Sequence, residues 1–136
     1  MIIDTSVLVA VSWSEPDSAA LYEALIFGNG LIPAPVLVEF RRVTALDCNR
    51  PDPLVESLLS DFVIAGVGIA PFTAACAAAA AAASPQYGSG NGHGGVLNML
   101  DLMVYGMAKV MALPILCTGK DFAATDAVLH PASRPY

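Results

Sequence analysis

The sequence predicts an α/β fold of three layers around a short, mostly parallel sheet, as one domain over residues 1–136. Three observations point there. Short apolar runs alternate with longer helical stretches, the pattern that builds parallel sheets. Glycine and proline clusters punctuate the runs. Hydrophobic residues make up 56% of the chain and charged residues 13%, enough for one sizeable core and too apolar for a disordered chain.

The elements follow in order. Met1 to Asp4 reads as a short buried strand, and SVLVAV as a first helix. Glu15-Pro16-Asp17-Ser18 signals a helix start, with proline in the first turn and acids near the N-terminus. That helix runs through ALYEALIF and stops at Gly28-Asn29-Gly30. LIP is a second strand. Pro35 opens a third helix, VLVEFRRVTAL, ending near Asn49. Pro51-Asp52-Pro53 starts a fourth, LVESLLSDFVIA, ending at Gly66. VGIAP is the third strand. TAACAAAAAAAS is a fifth helix, because alanine is the best helix former. Pro85 to Gly95 reads as a flexible loop. Its GSGNGHGG follows a helix, not a strand, which rules out a dinucleotide-binding turn. VLNMLDLMVYGMAKVMA is the last long helix, LPILC a strand, and TGKDFAATD a turn into a short helix.

Phe62 to Ala83 carries no charge and is long enough to cross a bilayer. Its glycines, its proline, its alanines and the lack of a basic flank assign it instead to a strand and the helix after it. No basic segment precedes the first apolar run, and Asp4 interrupts it, so no signal peptide is evident and a cytoplasmic protein is expected. Cys48, Cys76 and Cys117 make no zinc spacing and read as small buried hydrophobes in a reducing compartment. Net charge is −6, from six Lys+Arg against twelve Asp+Glu. A broad basic footprint for duplex DNA is therefore absent, and any phosphate contact must come from few cations or a bound metal.

Most acids fall where solvent is expected, but four do not fit that pattern. Asp4 ends the first strand. Glu39 shares a helix face with Val36 and Val43. Asp101 is the only acid between Asp61 and Asp121, among Leu97, Leu100, Leu102, Val104 and Tyr105, with no evident partner nearby in sequence. Asp121 lies just beyond the carboxyl end of a strand, where open α/β sheets build their sites, with Asp126 about a turn later. Singly, each has a structural alternative. Asp4 caps the helix beginning at Ser6, Asp121 caps its turn, Glu39 pairs with Arg42, and Asp101 is a satisfied core acid. Together they favour convergence. Two carboxylates at 4 Å repel by about 4 kcal/mol at an effective dielectric near 20, so a cluster needs a proton or a cation. Oxygen ligands with few histidines suit Mg²⁺ or Mn²⁺, the usual equipment of phosphoryl chemistry. Thr5, Ser6 and Thr118 are candidates to hold metal waters or an acid from behind.

In this order, MIIDTSVLVAV, APVLVEF, YGSGNGHGGVLNMLDLMVYGMAK and LPILCTGKDFAATD resemble the PIN-domain ribonucleases, and within them the VapC-type toxins of toxin–antitoxin pairs. The resemblance implies a three-layer α/β/α fold and a metal-dependent endoribonuclease that leaves a 3′-hydroxyl and a 5′-phosphate. It also implies a homodimer and a cognate antitoxin. By position it makes Asp4, Asp101 and Asp121 the ligands of Mg²⁺ or Mn²⁺. Glu39 is the acid that orients or deprotonates the attacking water, or binds a second ion, and Asp126 is a less central acid. Arg41, Arg42, Lys120 and Arg134 are the candidates for flanking phosphates, Arg42 and Lys120 first. Leu100 stands where the family usually has a small residue, and Lys120 where asparagine is common. The alanine helix lacks the family's Glu and Arg, which weakens the case for RNA contact along that face.

The competing readings are a PIN-like module that binds RNA or protein without cutting, and a phosphatase or phosphoreceiver. A haloacid-dehalogenase-type phosphatase needs a second Asp at the position of Ser6. A receiver needs an acid pair and a strand-end lysine, and only Lys120 suggests one. His93 reads as a loop residue, His130 has no assigned role, and Trp13 and Tyr22 read as packing or antitoxin-interface residues.

Overall fold

The computed structural model describes residues 1–136. Four strands, β1 (Ile2–Ile3), β2 (Leu31–Pro33), β3 (Gly68–Ala70) and β4 (Ile115–Leu116), form one sheet in the order β3-β2-β1-β4. Every pairing is parallel, with Ile2 opposite both Leu31 and Ile115. The helices are α1 (Thr5–Ser12), α2 (Ser18–Phe27), α3 (Ala34–Val43), α4 (Pro53–Ile64), α5 (Ala74–Tyr87) and α6 (Met99–Met111). Ile2 and Ile3 are neighbours on a strand and point to opposite faces. Both are 0% exposed, as are Ile115 and Leu116. Helices therefore cover both faces, and the expected three layers are present.

The topology places the site. From β1 the chain moves outward through β2 to β3, then returns past β1 to β4. The order reverses beside β1, so the carboxyl ends of β1 and β4 border the crevice where parallel sheets bind ligands.

The alanine helix has a packing role. α5 buries Cys76, Ala80 and Ala83 and packs against α6. A Cβ at Gly106 of α6 would lie 2.5 Å from the Cys76 carbonyl oxygen and 2.8 Å from the Ala80 nitrogen. Small residues on both helices thus let the backbones approach, which fixes where α6 and Asp101 lie.

Several boundaries differ from the sequence reading. The second helix starts at Ser18, because Asp17 is left-handed at φ 66° and leaves Pro16 outside. The third ends at Val43, not near Asn49. Thr44 Oγ1 donates back to the Phe40 carbonyl at 2.7 Å, and Cys48 and Asn49 are left-handed in a separate 3₁₀ turn. Cys76 and Cys117 are buried as expected, whereas Cys48 is exposed on that turn. α5 continues through Pro85 to Tyr87. Pro85 gives up the hydrogen bond to the Ala81 carbonyl, and Asn91 Nδ2 secures the turn by donating to the Pro85 and Gln86 carbonyls, both at 3.1 Å. Asn91 Oδ1 also accepts from the His93 and Gly95 amides at 2.8 and 3.1 Å. The glycine loop is therefore organised by one side chain, where the sequence reads as a flexible segment. No helix is long and apolar enough to cross a membrane.

Candidate active site

Asp4 follows β1 and is 7% exposed. It caps α1: Oδ2 accepts the Ser6 amide at 3.0 Å and also the Ser6 hydroxyl. Ser6 Oγ in turn accepts the Thr118 amide at 3.0 Å, from the chain leaving β4. Ser6 thus ties the carboxyl ends of β1 and β4 together through the Asp4 carboxylate. Thr118 contributes its backbone to this tie. Burial raises the Asp4 pKa, the Ser6 hydrogen bonds oppose that, and the Glu39 charge adds to the rise. Thr5 Oγ1 is buried without a hydrogen-bond partner.

Asp101 is the third residue of α6 and is half-buried. Asn98 Oδ1 accepts the Leu100 and Asp101 amides at 2.8 and 3.0 Å. Asp101 Oδ2 accepts the Asn98 amide at 2.8 Å, which completes a capping box. Asp101 therefore has a partner three residues back. The sequence reading missed it by starting the helix at Val96, although Asn-x-x-Asp was there to be seen. Burial first, then the charges of Asp4, Asp121 and Glu39, push the Asp101 pKa up to about 6, against the Asn98 hydrogen bond.

Asp121 is exposed and begins a 3₁₀ turn at Phe122–Ala124, with no side-chain cap bond. Its carboxylate is free, so capping is not its use. Glu39 lies on α3, half-buried, with no ion pair to Arg42. The thiol of Cys117 reports on the same region. Burial first, then the charges of Asp4, Asp121 and Asp101, raise it to about 11 against a Ser133 hydrogen bond. Four carboxylates from four parts of the chain thus share one electrostatic neighbourhood.

The remaining candidates separate. Asp126 accepts from Tyr105 Oη at 2.6 Å and Lys109 Nζ at 2.9 Å, which keep its pKa low. It latches the C-terminal segment to α6. Arg41 is bound to Glu56 at 2.7 and 3.0 Å, and Arg134 Nη1 donates to the Ala132 carbonyl at 3.3 Å. Arg42 and Lys120 have no hydrogen-bond partner, and Arg42 shares a surface depression with Glu39. His93 is exposed in its loop, and His130 Nδ1 accepts the Ala132 amide at 3.2 Å. Trp13 is 57% exposed, and Tyr22 rests against Phe62 with ring centres 6.1 Å apart.

An all-oxygen donor set suits a hard divalent cation. Burial raises the pKa of both Asp4 and Asp101, neighbouring carboxylates add to the rise, and a cation would relieve that repulsion. Enclosure is a separate matter. No three His, Cys, Asp or Glu side chains are arranged to hold a metal ion. Asp4 and Asp101 each have an oxygen turned to a helix cap, and uncompensated like charges keep apart.

Comparison with known proteins bears on this geometry. A family model described as "PIN domain" matches residues 1–128. VapC ribonuclease Mb2780c of Mycobacterium bovis is 37% identical over 135 residues, 97% of this chain and 98% of its own length. Ribonuclease VapC36 of Mycobacterium tuberculosis is 36% identical over 129 residues, 93% of this chain and 90% of its own. Among solved structures, FitAcB from Neisseria gonorrhoeae superposes with a TM-score of 0.66 at 20% identity, covering 96% of each chain. A toxin–antitoxin complex from Klebsiella pneumoniae superposes with a TM-score of 0.64 at 16% identity, again over 96% of each.

Proposed function

The chain belongs to the PIN-domain family, and from that premise we propose that it is a metal-dependent endoribonuclease, the toxin of a toxin–antitoxin pair. What supports this reading is that the charges of Asp4, Asp121 and Glu39 all act on Asp101, and that of Glu39 on Asp4, with Asp4 at the carboxyl end of β1.

Asp4, Asp101 and Asp121 would hold Mg²⁺ or Mn²⁺. When bound, the ion supplies charge stabilisation at the scissile phosphate and a more acidic water. The protein does the rest. Ser6 and Asn98 aim Asp4 and Asp101, each through a hydrogen bond to one carboxylate oxygen, which leaves the other oxygen for the site. Glu39 accepts a proton from the attacking water. The water oxygen bonds to phosphorus, the bond to the 3′-oxygen breaks, and that oxygen takes a proton from solvent water to leave as a 3′-hydroxyl, with the phosphate retained on the 5′ side. Arg42 and Lys120, free of internal partners, face flanking phosphates. A cognate antitoxin, supported by the toxin–antitoxin structure, together with a homodimer and a cytoplasmic setting, completes the reading.

One observation favours a second reading, a PIN-like module that binds without cutting: no three carboxylates enclose a cation. Total RNA incubated with purified protein in Mg²⁺, in Mn²⁺ and in EDTA, beside Asp101→Asn, separates the two. Discrete metal-dependent cuts lost in the variant support the nuclease. An inert, folded wild type that binds no Mn²⁺ by calorimetry supports the module.

A further inference from the structure

An open depression of about 690 Å³ adjoins the acids, within the roughly 300–1,000 Å³ typical of small-ligand clefts. Three separate stretches line it. α3 supplies Pro35, Glu39 and Arg42; the segment after β3 supplies Pro71 and Phe72; α6 supplies Leu100. Glu39 belongs both to this depression and to the acid group. The Glu39 charge acts on both Asp4 and Asp101, and Leu100 immediately precedes Asp101. Yet its chemistry differs from that of the acids. Two prolines, a half-buried phenylalanine and a leucine give apolar surface, and Arg42 gives one unpaired positive charge one turn of α3 beyond Glu39.

We infer that this depression is a nucleobase subsite: one base beside the scissile phosphate lies against Phe72 and Leu100 while Arg42 holds the adjoining phosphate. The inference rests on the nuclease reading above. An acidic protein with few free cations gains little from the phosphate backbone alone. A base face on an aromatic ring supplies the missing affinity, and it does so for any base. A base reaches such a wall only when splayed out of a helix, so the RNA is single-stranded at the cut. Leu100, bulkier than the family's usual residue, then becomes a contact surface for substrate.

The test uses oligoribonucleotides that carry one abasic unit at successive positions around a mapped cut, with steady-state kinetics in Mn²⁺. The expected wild-type result is one position where the abasic unit raises KM by roughly 5- to 100-fold, the scale of a lost base–aromatic stack, with kcat within about twofold. Phe72→Ala should erase that discrimination. Phe72 also packs against the core, so Phe72→Leu, which keeps apolar bulk without the ring, decides the matter if the alanine variant melts. The subsite is overturned if wild type and Phe72→Leu respond alike at every position, or if wild type cuts abasic and normal RNA equally. In those cases the nuclease stands. If wild type cuts no RNA in either metal, the nuclease reading fails first and the subsite with it.

Discussion

The Thr118 amide donates to Ser6 Oγ at 3.0 Å, joining residues 112 apart in sequence, and the Ser6 hydroxyl in turn donates to Asp4 Oδ2. One hydroxyl therefore adds a side-chain tie between two strand ends that the Asp4 amide and the Leu116 carbonyl already pair at 3.0 Å. Ser6→Ala leaves the Thr118 amide without its partner and removes a hydrogen bond that opposes the rise in the Asp4 pKa. The expected loss of stability is about 1–3 kcal/mol, read by urea unfolding. Divalent-cation affinity should drop with it, and Ser6→Thr should restore both.

Asp101→Asn should make the metal-free protein more stable at neutral pH. The native carboxyl titrates near pH 6 against a reference of 3.8. Between those values the native state binds more protons than the unfolded chain. Stability therefore falls as pH rises through that window and stays lower above it. Asp101 is half-buried, so solvent screening reduces the effect to on the order of 1–2 kcal/mol. Asparagine can still accept the Asn98 amide, which preserves the cap. Unfolding of both proteins from pH 4 to pH 7 checks the sign: the difference in favour of the variant should grow with pH.

Gly106→Ala should destabilise by about 1–3 kcal/mol or more, because the added methyl meets the α5 backbone at Cys76 and Ala80. Thermal melting reads the loss. A neutral result would mean that the two helices separate easily and that the alanine face does not set the position of α6.

The two C-terminal acids should behave oppositely. Asp121→Asn should abolish metal-dependent cutting, since its carboxylate is free of internal partners. Asp126→Asn should retain cutting, because Asp126 serves Tyr105 and Lys109 on α6. Equal losses in the two variants, with both folded, would return Asp126 to the site.

Arg41 and Arg42 are neighbours with different expected effects. Arg41 is paired with Glu56 on the surface, so Arg41→Ala should cost stability of only about 0–1 kcal/mol and leave cutting unchanged. Arg42→Ala should raise KM for RNA and flatten its salt dependence, because one phosphate contact is lost.

Much of this protein was legible from residue order alone. Alternating apolar runs and helix signals determined the four strands and their parallel arrangement, because burial and capping follow local pattern. Element ends were less legible where a single side chain decided them. Asn98 moved the start of α6, Thr44 ended α3, and Asn91 ordered a loop whose glycines read as flexible. Tertiary structure alone decided which charges remain free. Glu56 meets Arg41 and Asp126 meets Lys109 across 15 and 17 residues of sequence, and those pairings leave Arg42 and Lys120 available. It also decided that Phe72, Leu100 and Glu39 line one depression. The physical reason is range. Propensity and capping act within a turn or two of the chain, whereas ion pairs and clefts depend on where the fold brings distant segments together.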